Sequence, residues 1–306
     1  MSTYDHHGNR ESDDYAGPEP EIVMAELAPQ TPALPFPAAR PRPRRVRLPV
    51  LLFIATCLST LLVGGGLIEG WKYALPVMTI LICHEAGHFI QARRYGVYTS
   101  YPYFIPMPIS PLGTFGAVIA MDARIPHRRA LFDIGITGPL AGLVPTLVFC
   151  VVGLHLSRPV VGYDTLGDPL LIKLLVAWIF GPLPAGHVIL IHPIALAGWF
   201  GLLITAINLM PIGQLDGGHV LYALLRTKAR RIASTLLFAA IIIVVWEFER
   251  YGGWSLMLFL LLLMRPGHPP TGHDDMPLGL GRTVLGWLAL AFIPIGFTPT
   301  PFIFGG

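Results

Sequence analysis

Long apolar runs alternate with shorter polar segments along most of this chain. Seven such runs cover residues 48–69, 73–93, 130–156, 188–209, 232–248, 252–265 and 283–298. A helix needs about 20 apolar residues to cross the ~30 Å hydrocarbon core of a bilayer. The pattern therefore predicts an all-α polytopic membrane protein with about six to seven transmembrane helices, of which the last two are the shortest.

The composition agrees with a chain that lies in lipid. Hydrophobic residues make up 53% of the sequence and charged residues only 13%, whereas a soluble domain carries about 25% charged residues. The cysteines Cys57, Cys83 and Cys150 all fall in apolar runs and show no CxxC spacing. A disulfide framework and a cysteine-based zinc knuckle are therefore not expected.

Residues 1–46 have a different character, acidic at first, then proline-rich and finally basic. Such a composition cannot bury a core, so we predict a disordered cytosolic tail, followed by a membrane domain over residues 47–306. Lysines and arginines gather in the segments on the same side as this tail, and only Lys72, Arg158, Lys173 and Arg250 fall on the other side. The positive-inside rule then predicts a multi-pass protein of the cell membrane with a cytosolic N-terminus.

The net charge of +3 is small, and the basic residues adjoin apolar runs without forming a stripe. No nucleic-acid partner is expected from such a distribution. The lipid bilayer is the partner that the pattern predicts.

The second apolar run contains the sequence HEAGH at residues 84–88, with three ionisable groups among hydrophobic neighbours. Each such group at mid-bilayer costs about 2.5 to 3.5 kcal/mol and usually lines a functional cavity. On a helix His84 and His88 share one face, the pairing that holds a zinc ion, and Glu85 lies beside them to activate a water. The alternative is a chance HExxH on the core helix of a soluble protein.

A second motif, NLMPIGQLDGGH at residues 208–219, ends the fourth run. Its proline and glycines distort a membrane helix, which is tolerated where neighbours or a water-filled cavity satisfy the freed backbone. A catalytic zinc takes three protein ligands and keeps one position open, so Asp216, the only carboxylate of this motif, is the natural third ligand. Read alone, Asp216 before two glycines is equally ordinary turn chemistry.

The two motifs together resemble those of the site-2 protease family of intramembrane zinc metalloproteases. The resemblance rests on HEAGH and on the pattern N-x-x-P-x-x-x-L-D-G from Asn208, and it covers residues 73–225. Between the motifs, residues 110–121 and 133–142 are similar to the family's re-entrant segment and to the start of its third helix. The helices at 47–70 and 230–298 lie outside the core that the resemblance covers.

The resemblance implies one Zn²⁺ per chain, bound by His84, His88 and Asp216, with Glu85 as general base. It places Asn208 where the family's asparagine helps to hold the substrate strand or the developing oxyanion. The implied activity is hydrolysis of peptide bonds in a transmembrane protein or peptide near the cytosolic face, as in regulated intramembrane proteolysis. Independently of the resemblance, the orientation given by the positive-inside rule makes the second helix run from outside to inside, so His84, about 16 Å along it from residue 73, lies past the midplane toward the cytosol.

A segment between the motifs offers a place for an unwound substrate. Residues 101–111 are rich in proline and aromatic residues, and residues 112–122 contain strand formers with two glycines. We predict a re-entrant, partly β segment whose edge pairs with substrate, and the candidate contacts are Gly113, Thr114, Phe115 and Gly116. An interfacial loop with aromatics in the headgroup region is the alternative.

Three other classes of protein remain. A metal transporter is expected to carry further His/Asp pairs along a path, and a membrane di-iron oxygenase needs several histidine boxes, but the sequence shows one compact set. A catalytically silent scaffold would keep the fold and lose the activity. The intact Glu85 favours the protease over the scaffold.

Overall fold

The computed structural model of the chain describes residues 46–122, 124–163, 165–263 and 271–303. The predicted N-terminal tail therefore lies outside the described residues, apart from Val46. The described helices are α1 (Arg47–Val63), α2 (Gly66–Glu69), α3 (Trp71–Arg94), α4 (Arg128–His155), α5 (Leu170–Phe180), α6 (Pro193–Asn208), α7 (Asp216–Leu225), α8 (Thr227–Trp246), α9 (Phe248–Tyr251), α10 (Ser255–Leu263), α11 (Leu280–Ala291) and α12 (Ile293–Gly296). A single 3₁₀ turn, Gly252–Trp254, separates α9 from α10.

Within the described ranges, three helices are long and apolar enough to cross a membrane, namely α3, α4 and α8. Helices α1, α5 and α6 and the segment Leu280–Gly296 are apolar but shorter. The chain is thus a helical, multi-pass membrane protein with small β elements. A count of six to seven spans stays a prediction, because the shorter helices do not settle it by length.

Helix α4 is the centre of the bundle and packs against α3, α6 and α7. It contacts α6 at two glycines. A Cβ added to Gly153 of α4 would lie 2.1 Å from the backbone nitrogen of Ala195, and a Cβ added to Gly198 of α6 would lie 2.7 Å from the backbone nitrogen of Cys150. Close backbone approach at small residues is how helices associate where lipid is as apolar as the side chains. Trp199 on α6 is fully buried in the same core and donates its indole N–H to the Gly167 carbonyl at 3.0 Å.

The proline- and aromatic-rich segment after α3 forms an antiparallel hairpin of β1 (Tyr103–Met107) and β2 (Gly113–Val118). This confirms the prediction of a partly β segment. The hairpin lies against α1, where Ser59 Oγ donates to the Gly113 carbonyl at 2.6 Å. Gly113 has φ of +73°, and a Cβ there would lie 2.8 Å from the Thr60 Cα, so only glycine fits.

A second antiparallel strand pair, β3 (Arg158–Val161) with β4 (His187–Leu190), was not predicted and shortens the helix of the fourth apolar run. That run begins its helix only at Pro193, because residues 187–190 pair with β3 instead. Helix α5 inside this connection was also not predicted as an element.

Two other runs are interrupted where the backbone cannot continue a helix. The first run stops at Val63, because Gly65 and Gly66 adopt positive φ. The last run breaks between α11 and α12 just before Pro294, where proline removes a helical hydrogen bond.

Candidate metal centre

Helices α3 and α7 bring the two sequence motifs together. His84 and His88 project from one face of α3, and their Nε2 atoms lie 3.2 Å apart. Asp216 is the first residue of α7, and its carboxylate oxygens lie 3.2 Å from His84 Nε2 and 3.3 Å from His88 Nε2. Among the described residues these three form a group that could hold a metal ion.

The spacing of these atoms fits a zinc ion. A tetrahedral ion with bonds of about 2.0–2.1 Å separates its ligand atoms by about 3.3 Å. The 3.2 Å between His84 Nε2 and His88 Nε2 agrees with that edge length, and the two nitrogens lie 3.2 and 3.3 Å from different oxygens of the Asp216 carboxylate. Two imidazoles and one carboxylate are also the donor set of known catalytic zinc sites.

The hydrogen bond on the other side of His88 fixes which of its nitrogens faces the site. His88 Nδ1 lies 2.7 Å from the Ile134 carbonyl oxygen on α4, and a carbonyl can only accept, so Nδ1 carries the proton. In the neutral ring Nε2 then presents a lone pair to Asp216. This is the form and the ring nitrogen with which histidine binds a metal ion.

Small residues let α4 approach the histidines. A Cβ on Gly138 would lie 2.0 Å from His88 Nε2, and one on Gly142 would lie 3.1 Å from His84 Cβ. On α3 itself, a Cβ at Gly87 would lie 2.4 Å from the Thr137 carbonyl oxygen, which explains the glycine inside HEAGH. The face of α4 around Gly138 is therefore one wall of the candidate metal centre.

We expect Gly138→Ala to remove most of the bound zinc. The added methyl would occupy the space of the His88 ring at its ligating nitrogen, so the ring would have to turn away. Zinc per chain, measured by elemental analysis on monodisperse protein in detergent, should fall well below half of the wild-type value. Gly281→Ala, where a Cβ meets nothing within 4 Å, is the control. A Gly138→Ala protein with wild-type zinc content would contradict the packing described here.

The motif that carries Asp216 is shaped by its two glycines. A Cβ on Gly217 would lie 1.8 Å from the Leu209 carbonyl oxygen, and one on Gly218 would lie 2.3 Å from that of Gly213. The chain leaves α6 at Asn208, turns back on itself and starts α7 at Asp216. Glycine at both positions allows this tight return, which places Asp216 opposite the histidines.

Two further predicted residues lie at the same place. Glu85 follows His84 on α3 and is only 6% exposed. Asn208 ends α6, and its Nδ2 lies 3.4 Å from His84 Nε2. Asn208 thus adjoins His84, and the Glu85 carboxylate is close enough to His88 and Asp216 to interact electrostatically with both.

The candidate substrate residues of the hairpin divide into two pairs. Gly113 is packed on α1, and Thr114 is buried, with its Oγ1 donating to the Ile105 carbonyl at 2.9 Å and accepting from Gly116 N at 3.0 Å. Phe115 is 56% exposed, and nothing lies within 4 Å of a Cβ on Gly116. Substrate contact by any of the four stays a prediction.

Sequence reasoning did not identify the α4 residues that surround His88. The carbonyl of Ile134 carries no side-chain signal, and Gly138 looks like any small residue of a membrane helix. The available signal was Pro139, which breaks the hydrogen-bond ladder of α4 and marks the segment as unusual.

A multi-pass helical membrane protein whose HExxH helix meets an aspartate from a second helix has the features of an intramembrane metalloprotease. The profile of peptidase family M50 matches residues 72–246, and the chain belongs to this family of zinc metalloproteases. The predicted family, the site-2 protease family, and its zinc cofactor are thereby confirmed, with His84, His88 and Asp216 as the candidate zinc site.

Several curated proteins are similar to the chain. The probable zinc metalloprotease EGY1, chloroplastic, of Arabidopsis thaliana is 32% identical over 241 residues, which are 74% of this chain and 42% of that protein. EGY1 of Oryza sativa subsp. japonica is 39% identical over 158 residues (48% and 27%), and EGY2 of Arabidopsis is 27% identical over 243 residues (76% and 43%). The chain spans less than half the length of these relatives. No solved structure matches it.

Proposed function

We propose that this protein is an intramembrane zinc endopeptidase that hydrolyses peptide bonds of membrane-embedded proteins near the cytosolic face. The observation that carries the proposal is the convergence of His84, His88 and Asp216 into a group that could hold a metal ion, with Glu85 buried beside His84. A silent scaffold would not need the glutamate, and a transporter would need further ligand groups along a path, whereas the described residues show one group of three or more ligand residues.

Each residue around the site is assigned its own role in peptide hydrolysis. Zinc, when bound, supplies Lewis-acid activation of a water and of the scissile carbonyl. The Glu85 carboxylate accepts the proton of the attacking water and returns it to the leaving amine. The Asn208 amide, which can donate from Nδ2, faces the same point and stabilises negative charge on the carbonyl oxygen.

The basic residues support a location near the cytosol. Helix α3 ends at Arg93 and Arg94, α4 begins at Arg128, and Tyr95 after α3 contacts Asp133 at the start of α4. These helix ends therefore share one end of the bundle, which the positive-inside rule assigns to the cytosol together with the N-terminus. His88 precedes Arg94 by six residues, or about 9 Å along the helix.

Access to the scissile bond requires local unwinding, because a helix hides its carbonyls in hydrogen bonds. We propose that the unwound strand adds to the edge of β2. Phe115 and Gly116 offer an exposed side chain and an open backbone there, while Gly113 and Thr114 hold the hairpin in shape. Phe115 and Gly116 are therefore the better candidates for direct contact.

Mass spectrometry of membrane peptides from cells that express either wild-type or Glu85→Gln protein tests the proposed activity. We expect a cleaved transmembrane anchor that forms only with the wild-type protein, with its new end on the cytosolic side. Identical peptide sets from both strains would contradict the protease and favour the scaffold. A new end on the opposite side would contradict the orientation alone.

A further inference from the structure

The C-terminal segment Thr271–Gly296, which we call the C-terminal brace, lies outside residues 72–246 that match the M50 family. It comprises a loop, α11 and α12. Its loop hydrogen-bonds to the chain just before and at the start of α4, with Gly272 N donating to the Ile125 carbonyl at 3.0 Å. Arg129 Nε of α4 donates back to the Pro277 carbonyl at 2.6 Å.

An ion pair joins the brace to α4. Arg282 donates from Nε and Nη2 to the two oxygens of Asp133, each at 2.8 Å, which is the two-pronged geometry of a strong arginine–carboxylate pair. The Tyr95 hydroxyl donates to the same carboxylate at 2.5 Å. The Asp133 side chain is only 14% exposed, so it depends on these donors. Asp133 thus connects the end of α3, the start of α4 and the start of α11.

A second polar contact joins the brace to α7. The Tyr222 hydroxyl donates to Asp274 at 2.6 Å, and Thr271 donates to the same carboxylate from Oγ1 and from its backbone nitrogen. Burial alone would raise the pKa of Asp274, but the hydrogen bonds from Thr271 and Tyr222 outweigh it and lower that pKa. The carboxylate is therefore charged at neutral pH and stays a good acceptor.

Apolar packing completes the junction. Leu278 of the brace is buried in one cluster with Phe132 of α4 and Val220 of α7. A Cβ on Gly286 of α11 would lie 2.8 Å from the Phe132 ring, so the brace and α4 are in close contact. The brace thus contacts both α4 and α7, by charge, hydrogen bonds and apolar packing.

Both helices also position the metal ligands. Asp133 immediately precedes Ile134, whose carbonyl holds His88 through Nδ1, and α7 begins with Asp216. We propose, building on the proposed zinc site, that the C-terminal brace holds α4 and α7 at the separation that zinc binding requires. Asp133, Arg282 and Tyr222 are then positioning residues of the metal centre, although none of them contacts the ligand atoms.

Zinc affinity of the full-length chain tests the brace. In Arg282→Ala we expect the dissociation constant for Zn²⁺, measured by competition with a chelator in detergent, to rise by about 10- to 100-fold, the loss typical of residues that support metal ligands. The absorption spectrum of bound Co²⁺ should also change, because it reports ligand geometry. Arg282→Lys, which keeps the positive charge but cannot make both hydrogen bonds to Asp133, should recover part of the zinc affinity.

Arg124→Ala is the matched control, because Arg124 pairs with Asp122 two residues away and joins no helices. Its zinc affinity and Co²⁺ spectrum should equal the wild type. If Arg282→Ala lowers only the thermal midpoint and binds both metals as wild type does, the brace is a stabilising element and the proposal is overturned.

If Arg282→Ala does not fold, Tyr222→Phe decides, because it keeps the ring and removes the hydroxyl that donates to Asp274. A weaker zinc affinity in Tyr222→Phe supports the brace, and an unchanged affinity overturns it. A wild-type chain that binds no zinc would overturn the proposed function and the brace with it, whereas zinc binding that no brace variant alters would overturn the brace alone.

Discussion

Asp216→Ala is expected to lose its zinc and all peptidase activity. The carboxylate is the only anion among the three convergent ligands, and it alone connects α7 to the histidines of α3. Without it, two imidazoles remain, which is too few protein ligands for a catalytic zinc. Elemental analysis of purified protein should give close to one zinc per chain for the wild type and almost none for the variant.

Two companion variants make this test specific. Glu249→Ala removes an exposed carboxylate on α9 and should keep both zinc and activity. Asp216→Glu should keep part of its zinc but displace the reacting water, and a shift of ~1 Å can cost ~10² in rate. If Asp216→Ala held zinc and cleaved as the wild type does, the third ligand would have to be another residue, and the assignment of the second motif would fail.

Glu85→Gln should also lose activity, with turnover reduced by at least ~10²-fold, but unlike Asp216→Ala it should retain its zinc. The amide has nearly the same size as the carboxylate, and Glu85 is buried next to His84, so the packing of α3 should persist. The amide cannot accept the proton of the attacking water. Cleavage of a model transmembrane substrate in liposomes, with zinc content measured on the same sample, separates these effects.

The control for this prediction is Glu69→Gln at the exposed pair with Lys72, which should leave turnover unchanged. Near-normal cleavage by Glu85→Gln would remove Glu85 from the mechanism. Loss of zinc in Glu85→Gln would instead show that the glutamate supports the metal ligands.

The candidate metal ligands could be predicted because the chemistry of histidine and aspartate is evident from the sequence itself. His84 and His88 are one helical turn apart whatever the rest of the fold does, and a zinc site that lacks a ligand directs attention to the one carboxylate of the second motif. The apolar runs predicted α3 and α4 for a similar reason, since a length near 20 residues is itself the signal.

Other features depend on contacts that a sequence does not display. The Ile134 carbonyl that orients His88 belongs to the backbone, and the need for glycine at position 138 arises only when α4 lies against α3. The β3–β4 pair has four-residue strands, too short for a clear alternation of polar and apolar residues. The pairing of Arg282 with Asp133, far apart in sequence, follows from the tertiary arrangement alone.

Ser59 and Thr60 make the β1–β2 hairpin depend on a helix that precedes the segment shared with the M50 family. A fragment cut to residues 72–246 would keep every proposed ligand and the general base, yet lose the helix on which Gly113 rests. The shortest segment that keeps both the candidate metal centre and the packing of the hairpin is therefore longer than residues 72–246. A chimera that transplants this hairpin into another membrane protein has to include the part of α1 that carries Ser59 and Thr60, or supply a substitute helix with a hydroxyl at the position of Ser59.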